Sequence, residues 1–249
     1  MLDVHPPHHS PNTWRDFFLH IATICVGLLI AIALEQGVEL LHHRHQRARL
    51  EEDIRAEAAQ NIRIMDSNFA TDLPLLAWQG SAMRALRDAP TIGGFVTVVL
   101  PSAPSLPATY TLSGSDQTTT PSHSVWTVAQ STGQVDLLPL DRAKVYDRLE
   151  REAVEYLHID SIADVENTEF QAVLRGLNVN FASGEKLHLT SAQRDELVRA
   201  VNKHAQMQYW DDMRLAFWKG ASEAVLHGVQ KPDEVVRYMN REISAVQKP

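Results

Sequence analysis

Eighteen consecutive residues, Phe17 to Leu34 (FFLHIATICVGLLIAIAL), contain no Asp, Glu, Lys or Arg. As a helix this run extends roughly 27 Å, close to the hydrocarbon thickness of a bilayer. His20 and Thr23 are its only clearly polar members, and Trp14 stands just outside, where an indole suits the headgroup region. The run has no polar face to offer water, unlike the surface helix of a soluble protein. The first reading is therefore a membrane-spanning helix, with the lipid bilayer as partner. A cleaved signal peptide competes with it, because Ala31-Ile32-Ala33 fits a cut after Ala33. Against cleavage, the run is long for a signal, and the segment before it carries Arg15 alone as Lys or Arg, with Pro6, Pro7 and Pro11. A buried core helix is the third reading.

Lys and Arg near a span favour the cytoplasm. Arg15 lies on one side, and Arg44, Arg47, Arg49 and Arg55 on the other. That bias leans toward a cytoplasmic domain. A short N-terminal tail before a large domain is also the pattern of a signal anchor, which would export it, so both orientations stay open.

Behind the span the chain has the composition of a globular protein. Of 249 residues, 44% are hydrophobic and 22% charged, and net charge is −8. Disorder is not expected for the bulk of it. Nucleic acid is not expected as a partner, since phosphate binding needs a concentrated basic surface. The basic cluster Arg44–Arg49 is followed at once by Glu51, Glu52 and Asp53. Cys25 is the one cysteine and lies in the apolar run, which excludes an intrachain disulfide and a zinc site built on several thiolates.

The pattern predicts an all-α fold. Residues 1–13 read as a flexible Pro- and His-rich tail, 14–41 as the transmembrane helix and interface, and 42–69 as a juxtamembrane helix. Ile54, Ala58, Ile62, Met65 and Phe69 recur on one face of that helix. Residues 70–249 form a mostly helical soluble domain. Asp72 and Pro74 suit the start of a separate helix ending near Asp88. Pro90, Gly93, Gly94, Pro101, Pro104, Pro107 and Pro121 break residues 90–123 into an irregular insertion, either a loop or a small β-hairpin. Phe95 to Leu100 is its extended run, and Tyr110-Thr111-Leu112 a second extended piece. Further helices are expected over Ser124–Ser131, ended by Gly133, and from Pro139/Asp141 to about Leu177. Asn178 to Leu189 reads as a connection. Thr190 and Gln193 form a capping box for a helix over about 191–228, and Pro232 opens a last helix to about Ala245. The whole is a helical bundle with one insertion.

The run TWRDFFLHIATICVGLLIAIALEQGVELLHHRH resembles a group of uncharacterised bacterial proteins with one N-terminal transmembrane helix followed by a helical domain. The stretch Val125 to Gly133 (VWTVAQSTG) is similar to their Trp-x-x-Ala-x-x-Thr-Gly signature. The resemblance implies a bacterial membrane location, which would be the inner membrane, and this architecture. It carries no activity.

Three Glu-x-x-His pairs, Glu39/His42, Glu155/His158 and Glu185/His188, match the spacing used by di-iron carboxylate bundles. The first falls at the membrane surface and the third in a connection, so solvated faces are the plainer reading. Glu39, His42, His43 and His45 are the metal candidates, and with Glu35 they could also sense pH. An interfacial anchor beside Arg44 and Arg47 is the simpler role. Asp160/Asp164 and Asp211-Asp212 read as solvated helix carboxylates. Trp126 with Thr132-Gly133 reads as a core residue and a helix end. Tyr209, Trp210, Phe217 and Trp218 read as core packing. There is no nucleophile elbow, reactive cysteine outside the apolar run or phosphate loop. No catalytic residue and no cofactor is assigned.

The expected function is a membrane-tethered helical protein acting through contacts with a protein partner or as a homo-oligomer along the juxtamembrane helix, where the small pair Gly27 and Ala31 could let two spans approach closely. The alternatives are a sensor or signalling accessory responding to pH or metal at the membrane surface, and a metal-dependent enzyme using the Glu-x-x-His pairs.

Overall fold

The computed structural model describes residues 14–102, 104, 120–179 and 186–247. Two compact units divide between Arg49 and Leu50. Helix α1 (Trp14–Asp88) contributes to both. In the first unit every residue from 14 to 46 is exposed. This part of α1 is long and apolar enough to cross a membrane, and none of its apolar window is buried.

The expected break at Asp72 and Pro74 does not occur, and α1 runs through it. An interior proline removes one backbone hydrogen bond and crowds the carbonyl four residues back, costing about 3 kcal/mol. Met65 before Pro74, and Leu75, Trp78, Ala82 and Leu86 after it, are all buried. Fully burying side chains of this kind stabilises by about 1.5–3 kcal/mol each. Packing on both flanks outweighs the local defect, and Pro74 itself faces solvent.

The second unit is a helical bundle with a small sheet. Helix α2 (Ser124–Ser131) is followed by a 3₁₀ turn (Gln134–Leu137), then α3 (Leu140–Gly176), α4 (Ser191–Leu226) and α5 (Pro232–Val246). The helix spans follow the hydrophobic spacing closely. Thr190 caps α4 as expected: its Oγ1 accepts from the Gln193 amide at 3.2 Å, and the Gln193 side chain accepts from the Thr190 amide at 2.9 Å.

The insertion opens with a hairpin. Strands β1 (Thr91–Ile92) and β2 (Phe95–Val99) are antiparallel, joined through Gly93 and Gly94 at φ +61° and +85°. That left-handed pair is what a two-residue hairpin turn requires. A third strand, β3 (Lys186–Thr190), pairs antiparallel with β2 from Phe95↔Thr190 to Val99↔Lys186. The reading of Asn178 to Leu189 as a plain connection is corrected at its C-terminal end. Val96, Val98, Leu187 and Leu189 alternate inward and are buried, which fixes the register. Tyr110-Thr111-Leu112 lies outside the described residues.

Two apolar clusters form the core. The first gathers Leu50, Ile54, Ala58 and Met65 of α1 with Trp126, Tyr146, Tyr156, Trp218 and Met239. The second gathers Leu75, Trp78 and Leu86 of α1 with Val98, Leu187, Phe170, Leu197 and Val201.

Candidate functional site

Along each long helix the two clusters are separated by a polar stretch. On α1 it holds Asn68 and Asp72, on α3 Asp160 and Asp164, and on α4 His204, Gln208, Asp211 and Asp212. Asp212 is 1% exposed and Asn68 7%. Gln79 of α1, also buried, donates Nε2 to Gln208 Oε1 at 3.0 Å and so ties α1 to α4 within one turn of the two aspartates. Asp211 Oδ1, Asp212 Oδ2 and Gln79 Oε1 are buried oxygens with no hydrogen-bond donor.

Burial drives the acidities here. It pushes the Asp211 carboxyl up to about 8, with repulsion from Asp160, Asp72 and Asp164 adding to it. Asp212 is raised well above the ordinary carboxylate range, again by burial and then by Asp72 and Asp211. Burial and Asp164 raise Asp160, while a hydrogen bond from the Tyr156 hydroxyl works the other way. Tyr156 is itself raised by burial and by the surrounding aspartates. Every influence on Asp211 and Asp212 has the same sign, and no cation offsets them. The cations one and two turns further along α4 are turned elsewhere. Arg214 lies over Phe217 and 3.9 Å from Glu155, and Lys219 bridges Asp66 at 2.8 Å and Glu242 at 2.7 Å.

The reading of Asp211-Asp212 as solvated carboxylates is therefore corrected. Both fall on the stripe of α4 that buries Leu197, Val201, Leu215 and Trp218. Asp160 likewise continues the α3 stripe of Val145, Leu149, Ala153 and Tyr156. The signal was phase: these acids interrupt an apolar stripe rather than lie opposite it.

The other candidate residues are dispersed. Glu39, His42, His43 and His45 are exposed on α1 in the first unit, with the His45 ring 2.9 Å from the Leu41 carbonyl. Glu155 and His158 are exposed on α3. Glu185 lies outside the described residues, and His188 sits on β3 with Nδ1 2.9 Å from Thr97 Oγ1. Among the described residues no three His, Cys, Asp or Glu side chains converge as a metal site. Of the aromatic patch, Trp218 is fully buried and Phe217 packs on the core. Trp210, at 57% exposed, is not core.

Helix α2 carries the Trp-x-x-Ala-x-x-Thr-Gly stretch, and its residues are structural. Trp126 and Ala129 are buried, Trp126 packs on Tyr146, and Gly133 closes the helix at φ +74°. Two carboxylates from other helices grip its start. Glu57 Oε1 accepts from Ser122 Oγ at 2.7 Å, from the Ser124 amide and hydroxyl at 3.0 Å, and from the Val125 amide at 3.3 Å. Glu150 Oε1 meets His123 Nδ1 at 3.0 Å and accepts from Thr127 Oγ1 at 3.2 Å. Arg142, 2% exposed, donates to the Val229 carbonyl and the Tyr146 hydroxyl and lies 3.5 Å from Glu51. Glu57 and Arg142 were missed from sequence, because Ser122, Ser124, Val229 and Glu51 lie far from them along the chain.

No family model matches the chain, and no curated protein or solved structure matches it significantly.

Proposed function

We propose that this chain is a single-pass protein of the bacterial inner membrane whose helical domain works through contacts with other proteins rather than through catalysis. The observation that carries the reading is the apolar stretch Phe17 to Leu34, a helix with every residue exposed. Leu28, Leu29 and Leu34 are each more than 60% exposed. Water does not tolerate a continuous apolar cylinder of that length, and lipid does. Arg44, Arg47, Arg49 and Arg55 favour a cytoplasmic domain.

Self-association is the first contact proposed. A Cβ added at Gly27 would meet nothing within 4 Å, and Ala31 follows one turn later. Such a pair lets two spans approach closely. Crosslinking in native membranes is expected to give dimers or higher species, and Gly27→Leu is expected to reduce them. Monomers alone would remove this part.

The test of the main reading is protease protection with a C-terminal tag. Digestion only after the inner membrane is breached supports a cytoplasmic domain, and digestion in osmotically opened cells reverses the orientation. A mass matching a cut after Ala33, or full-length protein that washes off membranes, would sink the anchored reading.

A further inference from the structure

The carboxylate layer divides the helical domain in a way that no stability argument requires. Two apolar clusters on the same three helices could merge into one core. Instead they are parted by Asp72 of α1, Tyr156 and Asp160 of α3, and Asp211 and Asp212 of α4, with Asp164 at the exposed margin. The groups that act on one another there are all acids; His204, the base of the same stretch, is shifted by burial alone. The nearest basic groups on α4, Arg214 and Lys219, are held by Glu155, Asp66 and Glu242.

Burying even one carboxylate without a partner costs several kcal/mol. A protonated carboxyl avoids that cost twice. It carries no charge, and its O–H can donate to a neighbouring carboxylate. Asp212 Oδ2, on a side chain that is 1% exposed, receives no hydrogen bond, so a proton there removes a charge that nothing else offsets. Gln79 makes an independent case. It too is buried and its Oε1 lacks a donor, while its amide is already committed to Gln208 beside the aspartates. The layer is short of hydrogens on both sides. A metal would be the other remedy, but no three of these side chains converge as metal ligands.

We propose that the layer is a proton-operated joint: α1, α3 and α4 are held together at this level while Asp211 and Asp212 carry protons, and separate locally there when those protons leave. This property belongs to the helical domain and holds on whichever side of a membrane that domain lies.

The sign follows from linkage. A carboxyl whose folded pKa lies above its unfolded value stabilises the fold fully below about pH 4, and that contribution is lost as pH rises through the folded value. With Asp211 at about 8, the loss is steepest below pH 8. Measuring from pH 7 to 9 also avoids His204, which is neutral there.

The test is hydrogen exchange by mass spectrometry on the full-length protein in detergent micelles, corrected for intrinsic rates, at pH 7, 8 and 9. Protection in 68–79 and 204–212 is expected to fall about tenfold or more from pH 7 to 9, while protection in α5 holds. The double variant Asp211→Asn/Asp212→Asn, which keeps the shape of both side chains and removes both charges, is expected to keep that protection at pH 9. Asp211→Asn, expected to lose less of it than the wild type does, serves if the double variant does not fold. Three results would overturn the proposal. One is protection that does not change with pH, and a second is loss spread evenly over the domain. The third is protection at pH 9 restored by millimolar Ca²⁺ or Mg²⁺ in the wild type with no such metal response in the double variant, which would make the layer a metal site.

Discussion

A Cβ built on Gly220 would lie 2.5 Å from the Cα of Met239 and 2.7 Å from its backbone nitrogen. Helices α4 and α5 therefore touch backbone to backbone at this point, which is why Val235 and Met239 reach the first cluster. Gly220→Ala is expected to destabilise the protein by about 1–3 kcal/mol through overpacking, despite the better helix propensity of alanine. Gly80→Ala is the control. Its Cβ would meet only the Arg84 guanidinium, at 3.7 Å, so a gain of up to about 1 kcal/mol is expected. Urea denaturation of the two variants in micelles checks both signs; a stable Gly220→Ala protein would contradict the close approach.

Glu57 acts as a cap borrowed from another helix. Removing it strips one acceptor from three backbone and side-chain donors at the start of α2 and from Ser122. Glu57→Ala is expected to cost about 1–2 kcal/mol. Amide exchange should quicken in Ser124 and Val125 before it does in α4. Glu57→Gln, which keeps an acceptor, should recover most of the loss.

Arg142 bridges three acceptors that an ammonium cannot reach together: the Val229 carbonyl, the Tyr146 hydroxyl and Glu51. Arg142→Lys keeps the charge, yet is expected to destabilise by about 2–4 kcal/mol, since a point charge cannot replace the guanidinium fork in a buried site. A thermal midpoint unchanged from wild type would show that charge alone matters there.

His204 stacks on Phe170 with ring centres 4.3 Å apart, and burial lowers its pKa to about 4. The unfolded chain binds this proton near pH 6.5, so the contribution of His204 is complete above that value and is lost as pH falls through about 4. Relative to His204→Phe, the wild type is expected to lose on the order of 2–3 kcal/mol between pH 6.5 and 4. Parallel acid titrations followed by near-UV circular dichroism would show it as a shifted midpoint. Coincident curves would mean that the ring is solvated.

What the sequence revealed, and what it hid, follow from the range of the interactions. Thr190 and Gln193 are three residues apart, so the cap of α4 could be read directly. The eighteen-residue apolar run needed no partner to be recognised. Pro74 misled because the side chains that keep α1 helical through it answer to partners on other elements, such as Phe170 and Leu197. Strand β3 was missed for the same reason: Val96↔Leu189 pairs residues far apart along the chain. Asp211 and Asp212 look solvated when only their immediate neighbours are considered. Their burial shows when each helix's apolar stripe is followed to its end and the acids are seen to stand on it.

The first cluster joins Leu50 and Ile54 to Val235 and Met239, nearly the two ends of the helical domain. During synthesis these ends leave the ribosome roughly 10–40 s apart, at ~5–20 residues per second. A helix forms in about a microsecond. Until α2, α3 and α4 emerge the inward stripe of α1 is uncovered, and until α5 emerges its cover is incomplete, so a chaperone or a translocon must shelter it. A stop codon anywhere before Pro232 would leave that stripe without its last partners. Such a chain is expected to be removed by proteolysis, so a truncation that deletes only the last helix will behave in cells as loss of the protein.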